Sequence, residues 1–203
     1  IWVASGSENE NDRNNGISHF IEHILFKGSK NRTGFEIAEG MDEIGASYNA
    51  YTTKEYTYFY VKALDYQLLK ATDLLFDLFK NPRLDENDIE TEKGVILEEI
   101  AMCEDDPSEK CFDVAEKGIY EGSGLAYEIL GTKETVSGMK KEDFLSYMGT
   151  YYVPERIVIG VSGNFNEEEI DKKINEYFGE DINTGNPIKT AQGLCNLTYE
   201  LCQ

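Results

Sequence analysis

The sequence predicts an α+β fold, with helices packed on a mostly antiparallel sheet. Three observations point to it. Segments with strand character are interleaved with segments of helical period along the 203 residues. Two strand-like segments, 46–53 and 55–63, are rich in Tyr, Thr and Phe and are separated by a short polar break, the pattern of a hairpin. The helical segments carry apolar stripes that need a covering layer.

The elements follow in order. Ile1-Trp2-Val3-Ala4-Ser5-Gly6 reads as a strand over 1–6. The chain opens without a methionine, so the natural N-terminus, with any targeting segment, is expected to lie outside it. A polar loop leads to a helix near 16–27, apolar nearly all round through Phe20, Ile21, Ile24, Leu25 and Phe26. Thr33-Gly34-Phe35-Glu36 is a capping box that opens a second helix running to about Ile44. After the hairpin, a helix over 65–80 carries Leu68, Leu69, Leu75, Leu78 and Phe79, and Asn81-Pro82 breaks it. A long helix over 85–104 stops before Pro107, and another follows near 108–120. A glycine-rich stretch, Gly118–Gly131, comes next. A helix over 141–151 ends before Pro154; a strand at 156–163 and a helix at 167–178 close the recognisable domain. Residues 1–178 are therefore expected to form one domain, and 179–203 a linker or divergent tail.

Composition narrows the classes. Hydrophobic residues make up 40% and charged residues 29%, which suits a chain that buries a single sizeable core. No apolar window is long enough for a membrane span. The net charge of −20 disfavours nucleic acid, whose phosphates demand basic surface. It is compatible with basic peptides as partners, although plain solubility of an acidic protein accounts for it slightly better. Cys103, Cys111, Cys195 and Cys202 show no C-x-x-C spacing, and Cys103 and Cys111 read as small buried hydrophobes. That favours a reducing setting, a bacterial cytosol or an organelle matrix.

Both histidines of the chain lie in His19-Phe20-Ile21-Glu22-His23, the order H-x-x-E-H. On a helix His19 and His23 stand one turn apart and face the same way, so two imidazoles can share one metal ion, with Glu22 beside it to handle a proton. The polar face of an otherwise apolar helix carries these three residues. Buried ionisable groups need partners, and a metal supplies one for all three. A catalytic zinc takes three protein ligands and keeps one open position. No histidine remains for the third ligand, which leaves cysteine or carboxylate. At about 100° per residue, Ile89, Ile96, Ile100 and Cys103 form one apolar stripe, with Glu92 and Glu99 at its edge and Glu98 opposite. This nominates Glu99 as ligand with Glu92 beside it. The plainer alternative is two boundary glutamates on a solvated helix.

Four stretches carry a resemblance to a known family: GISHFIEHILFKGS at Gly16–Ser29, NRTGFEIAEGMDEIGASYNAYTTKEYTYFYVK at Asn31–Lys62, EKGVILEEIAMCEDDP at Glu92–Pro107 and YYVPERIVIGVSGNF at Tyr151–Phe165. They resemble the N-terminal catalytic domain of the pitrilysin/insulinase superfamily of zinc peptidases, closest to its mitochondrial-processing-peptidase-like branch. The resemblance implies a metallopeptidase half-domain and metal-assisted hydrolysis of peptide bonds in extended peptides. It implies that His19, His23 and Glu99 hold Zn2+, a ligand set that suits zinc, since Glu99 matches the family's spacing from His23 and Glu98 does not. It implies that Glu22 moves the proton from the attacking water to the leaving amine, and that Glu92 belongs to the catalytic machinery by orienting a histidine. The Asn49-Ala50 step would lie on an edge strand beside the metal, where substrate adds as a further strand.

The family also implies a second homologous domain or subunit that encloses the site; the sequence of the tail from 179 does not match the pattern well. H-x-x-E-H is compatible as well with a non-catalytic core or partner subunit of the same family, although such proteins usually lose metal-site residues. It is compatible too with a metal-dependent lyase resembling S-ribosylhomocysteine lyase, in which a cysteine such as Cys103 would complete the site.

Overall fold

The computed structural model describes residues 1–182. Its order is β1 (Trp2–Val3), α1 (Ile17–Leu25), α2 (Gly34–Glu43), β2 (Ser47–Thr52), β3 (Thr57–Lys62), α3 (Leu68–Lys80), α4 (Glu86–Asp105), α5 (Pro107–Ile119), α6 (Lys133–Gly138), α7 (Lys141–Tyr151), β4 (Ile157–Val158) and α8 (Glu167–Ile182), with short 3-10 turns between them. The four strands form one antiparallel sheet in the order β2-β3-β1-β4. The α+β expectation holds, and among the described residues β2 stands at an edge of the sheet.

The sheet separates two faces because side chains alternate along a strand. Val3, Ala50, Thr57 and Phe59 are buried against the helices, while Trp2, Tyr51, Tyr58 and Tyr60 stack on the other face. The centre of the core is aromatic and aliphatic. Phe20 of α1 meets Phe144 of α7 edge-to-face at 4.8 Å, and Phe59 of β3 meets Phe79 of α3 at 5.6 Å. Ile17, Phe20, Ile21, Ile24 and Leu25 make α1 a buried helix, as its sequence required.

Helix starts follow their local chemistry. Thr33 and Glu36 close the expected capping box at α2. Asp85 caps α4, and Asp106 caps α5 ahead of Pro107. The first turn of α1 is held differently. Gly16 has φ +94°, and a Cβ there would sit 2.5 Å from the Leu130 carbonyl oxygen. The buried Glu10 carboxylate then accepts from the Gly16 and Ser18 amides at 2.7 and 2.8 Å and from the Asn15 side chain at 2.9 Å.

Several boundaries differ from expectation. The strand expected over 1–6 is ordered as β1 at Trp2–Val3, because Gly6 turns the chain against the Thr53 and Lys54 carbonyls into a 3-10 turn at Ser7–Asn9. The strand expected over 156–163 shortens to Ile157–Val158, where its partner β1 ends. Helix α6 has six residues, too few for an apolar period to reveal it. Cys103 is half-buried and Cys111 exposed, not buried as expected. Helix α5, which carries Cys111, has no buried residue among those described. Helix α8 runs to Ile182, past the boundary expected at 178; residues 183–203, with Cys195, Cys202 and most of the expected tail, lie outside the described residues. No helix of the described residues is long and apolar enough to cross a membrane.

Candidate metal centre

His19 and His23 project from the polar side of α1, their ring centroids 4.5 Å apart. Helix α4 packs beside α1 and brings two glutamates to them. Glu99 Oε2 lies 3.8 Å from His19 Nε2 and 3.6 Å from His23 Nε2. Ligand atoms of His19, His23 and Glu99 all fall within 4.8 Å of one another. Glu92, two turns earlier on α4 and 3% exposed, accepts from His23 Nδ1 through Oε1 at 2.9 Å. Glu98 is exposed. Thus the α4 side that carries Ile89, Ile96 and Ile100 into the core also buries Glu92 and sets Glu99, half-buried, at its edge, where the helical angles put it.

The chemistry of this set calls for a cation. A carboxylate only accepts, so the Glu92 contact makes Nδ1 of His23 the donor and, in the neutral ring, Nε2 the nitrogen with the lone pair. Glu99 Oε2, which Nε2 faces, is buried with no hydrogen-bond partner among the described residues. Burial and the neighbouring His23 lower the His19 pKa to about 3, so this imidazole is neutral at physiological pH, the form that ligates. Acceptors aimed at one point with no donor between them fit a divalent ion, and two imidazoles with a carboxylate and an open side suit zinc.

Glu22 stands outside the three-ligand cluster. Its Oε2 accepts from Thr52 Oγ1 of β2 at 2.6 Å. Burial pushes the Glu22 pKa above its ordinary value, although the Thr52 hydrogen bond and the nearby His23 oppose the shift. Asn49 and Ala50 lie on the same strand, paired with Tyr60 and Phe59. Ala50 is buried on the helix face, and Asn49 is exposed on the other. All seven nominated residues therefore lie on α1, α4 and β2, three adjoining elements.

Sequence reasoning missed three contributors: Thr52, which anchors Glu22; Glu10, which holds the start of α1; and Lys27, whose Nζ lies 2.5 Å from Glu92 Oε2. The spacing of Lys27, four residues after His23, was a usable signal. The other two depend on long-range contacts that no local pattern announces.

Two cavities lie on the elements that carry the nominated residues. One of about 650 Å³ lies along the end of α4 beyond Glu99, with Ile100, Cys103, Glu104, Glu109, Asp113 and Glu116 in its wall. Lys54 pairs with Glu116 and Lys133 with Glu104, whereas no ion pair among the described residues engages Glu109 or Asp113. The other, about 280 Å³, is lined by Phe26, Ile37, Ala38, Tyr48 and Asn49 beside β2.

Comparison with known proteins gives the family. The family model described as Insulinase (Peptidase family M16) matches residues 1–133, and that of the Peptidase M16 inactive domain matches 138–195. The chain belongs to peptidase family M16. It is 43% identical over 179 residues to the uncharacterized zinc protease YmxG of Bacillus subtilis, covering 88% of this chain and 44% of that one. It is 36% identical over 198 residues to the mitochondrial-processing peptidase subunit beta of Bos taurus, covering 98% of this chain and 40% of that one. Among solved structures, a putative M16-like peptidase from Alicyclobacillus acidocaldarius superposes with TM-score 0.79 at 27% identity, over 88% of this chain and 43% of the other. A Helicobacter pylori protease superposes with TM-score 0.83 at 22% identity, over 91% and 45%, and shares the fold. The chain spans less than half the length of these relatives.

Proposed function

We propose that this chain is the catalytic half of a zinc metalloendopeptidase that cleaves extended peptides at its inverted H-x-x-E-H site. The observation that carries the reading is the convergence of His19, His23 and Glu99 on one point, with Glu99 Oε2 buried and unpartnered. These three residues would hold the ion. A zinc ion held there would supply Lewis acidity toward the scissile carbonyl and the attacking water.

The chain's own residues do the rest. Thr52 holds Oε2 of Glu22, which leaves Oε1 to take the proton of the attacking water. A carboxylate with a raised pKa can return that proton to the leaving amine. Glu92 fixes the ring and tautomer of His23. Strand β2 carries Thr52 and, as an edge strand, offers free backbone groups at Asn49-Ala50 to a substrate strand. Such pairing reads backbone more than side chain, which suits cleavage of varied sequences. The recess at Phe26 and Tyr48 can seat an apolar side chain, and the acidic cavity with Glu109 and Asp113 suits a basic one.

The lyase reading needs Cys103 on the metal, whereas the clustered ligand atoms among the described residues include Glu99 and not Cys103. A non-catalytic partner role has no feature in its favour, since every nominated residue is present. The match at 138–195 to a second M16 domain model, together with the chain's share of its relatives' length, supports a second homologous domain or subunit that completes the site. The free thiols of Cys103 and Cys111 are compatible with a reducing setting, a bacterial cytosol or organelle matrix.

The test is cleavage of a quenched fluorescent basic peptide by purified protein, with and without chelator and with the second domain supplied. The proposal expects chelator-sensitive cleavage, restored by zinc, and weaker cleavage when Lys and Arg of the peptide are replaced by Gln. Cleavage indifferent to chelator would overturn the metal mechanism.

A further inference from the structure

Lys27 has no part in the hydrolysis described above. It lies in the turn that ends α1, four residues beyond His23, and its ammonium sits 2.5 Å from Oε2 of Glu92. Glu92 is otherwise enclosed. Its Oε1 is engaged by His23 Nδ1, and its Oε2 has no aligned hydrogen-bond donor among the described residues. Burial disfavours a carboxylate unless both of its oxygens are compensated. Lys27, with its side chain 39% exposed, supplies the second half of that compensation from the protein surface.

We propose that Lys27 is a positioning residue of the metal centre, resting on the metal reading above. By holding Oε2, it keeps Oε1 of Glu92 on His23 Nδ1, and so keeps the Nε2 edge of His23 turned toward His19 and Glu99. The three residues form a relay of contacts, Lys27 to Glu92 to His23, whose last member is a ligand. Without the ammonium, Glu92 gains by turning its carboxylate out toward water, and the His23 ring loses the contact that orients it. Lysine suits the task because a flexible stem can bring a compact point charge onto one oxygen.

The experiment measures the zinc dissociation constant by chelator competition, together with the visible spectrum of the cobalt-substituted protein. The forms compared are wild type, Lys27→Met, Lys27→Arg, Glu92→Gln and the Lys27→Met/Glu92→Gln double variant. Methionine keeps the stem and removes the charge. Lys27→Met is expected to weaken zinc binding about tenfold, the low end for a group that orients a ligand, and to alter the cobalt bands. Lys27→Arg should restore most of the affinity. In the Glu92→Gln background the same substitution should change nothing further, because Lys27 acts through Glu92. If Lys27→Met does not fold, Lys27→Gln carries the same comparison. A folded Lys27→Met protein with wild-type zinc affinity, or losses that multiply in the double variant, would overturn the proposal. A lowered melting temperature with unchanged affinity would do the same, leaving Lys27 a structural role. Wild type that binds no zinc would remove the metal reading itself, a result distinct from an indifferent Lys27.

Discussion

At the scale of single residues, the division of labour among the carboxylates follows from what each oxygen touches. Glu99 offers an unpartnered buried oxygen to two imidazoles, Glu92 spends one oxygen on His23 Nδ1, and Glu22 spends one on Thr52. Glu22 is thus tied to the strand rather than to the imidazoles, the placing expected of a base and not of a ligand. Glu22→Gln should therefore retain zinc at wild-type stoichiometry while kcat falls by about 10²–10⁴, the contribution of a positioned general base. Metal analysis beside single-turnover cleavage checks this; equal loss of zinc would make Glu22 a ligand.

At the scale of elements, the site depends on how the loop after α1 is fastened to α3. Asp77, fully buried, accepts from Ser29 Oγ at 2.7 Å, Asn31 Nδ2 at 2.6 Å, Asn81 Nδ2 at 3.0 Å and Arg32 Nη1 at 2.8 Å. Burial works against its charge, but these hydrogen bonds and Arg32 outweigh it and hold its pKa below the ordinary 3.8. A carboxylate whose folded pKa is depressed stabilises the fold above the unfolded pKa and loses that contribution as pH falls through the folded value. Asp77→Asn should cost roughly 2–3 kcal/mol near pH 7, and the deficit should shrink once the pH drops below about 3.8. Urea unfolding across that range measures it; a deficit constant from pH 7 to pH 3 would contradict the account. The Asp77 clamp joins residues about fifty apart, which is why the sequence did not announce it. The His19–His23 pair and the Glu92–Glu99 edge were legible, because helical period alone brings them to one side. Strand limits were not, since β1 and β4 extend only as far as their partners allow.

At the scale of the whole molecule, helices α1 and α4 pack together and bring His19, His23 and Glu99 to one place, while Thr52 of β2 bonds Glu22 and the outer edge of β2 is unpaired among the described residues. Glu22, the His19–His23–Glu99 cluster and the β2 edge thus lie on adjoining elements, and under the proposed function a peptide laid against β2 would come alongside Glu22. The wall of the cavity along the end of α4 mixes acidic residues, Glu109 and Asp113 among them, with Lys54, Lys110 and Lys133. The capping box and the apolar face of α1 were written locally. The central claim is that Glu99 completes the metal set. It is tested most directly by the zinc content of purified Glu99→Gln beside Cys103→Ser, both checked for folding. The account predicts about one zinc per chain in Cys103→Ser and little in Glu99→Gln. Zinc retained in Glu99→Gln and lost in Cys103→Ser would contradict it and place the cysteine on the metal.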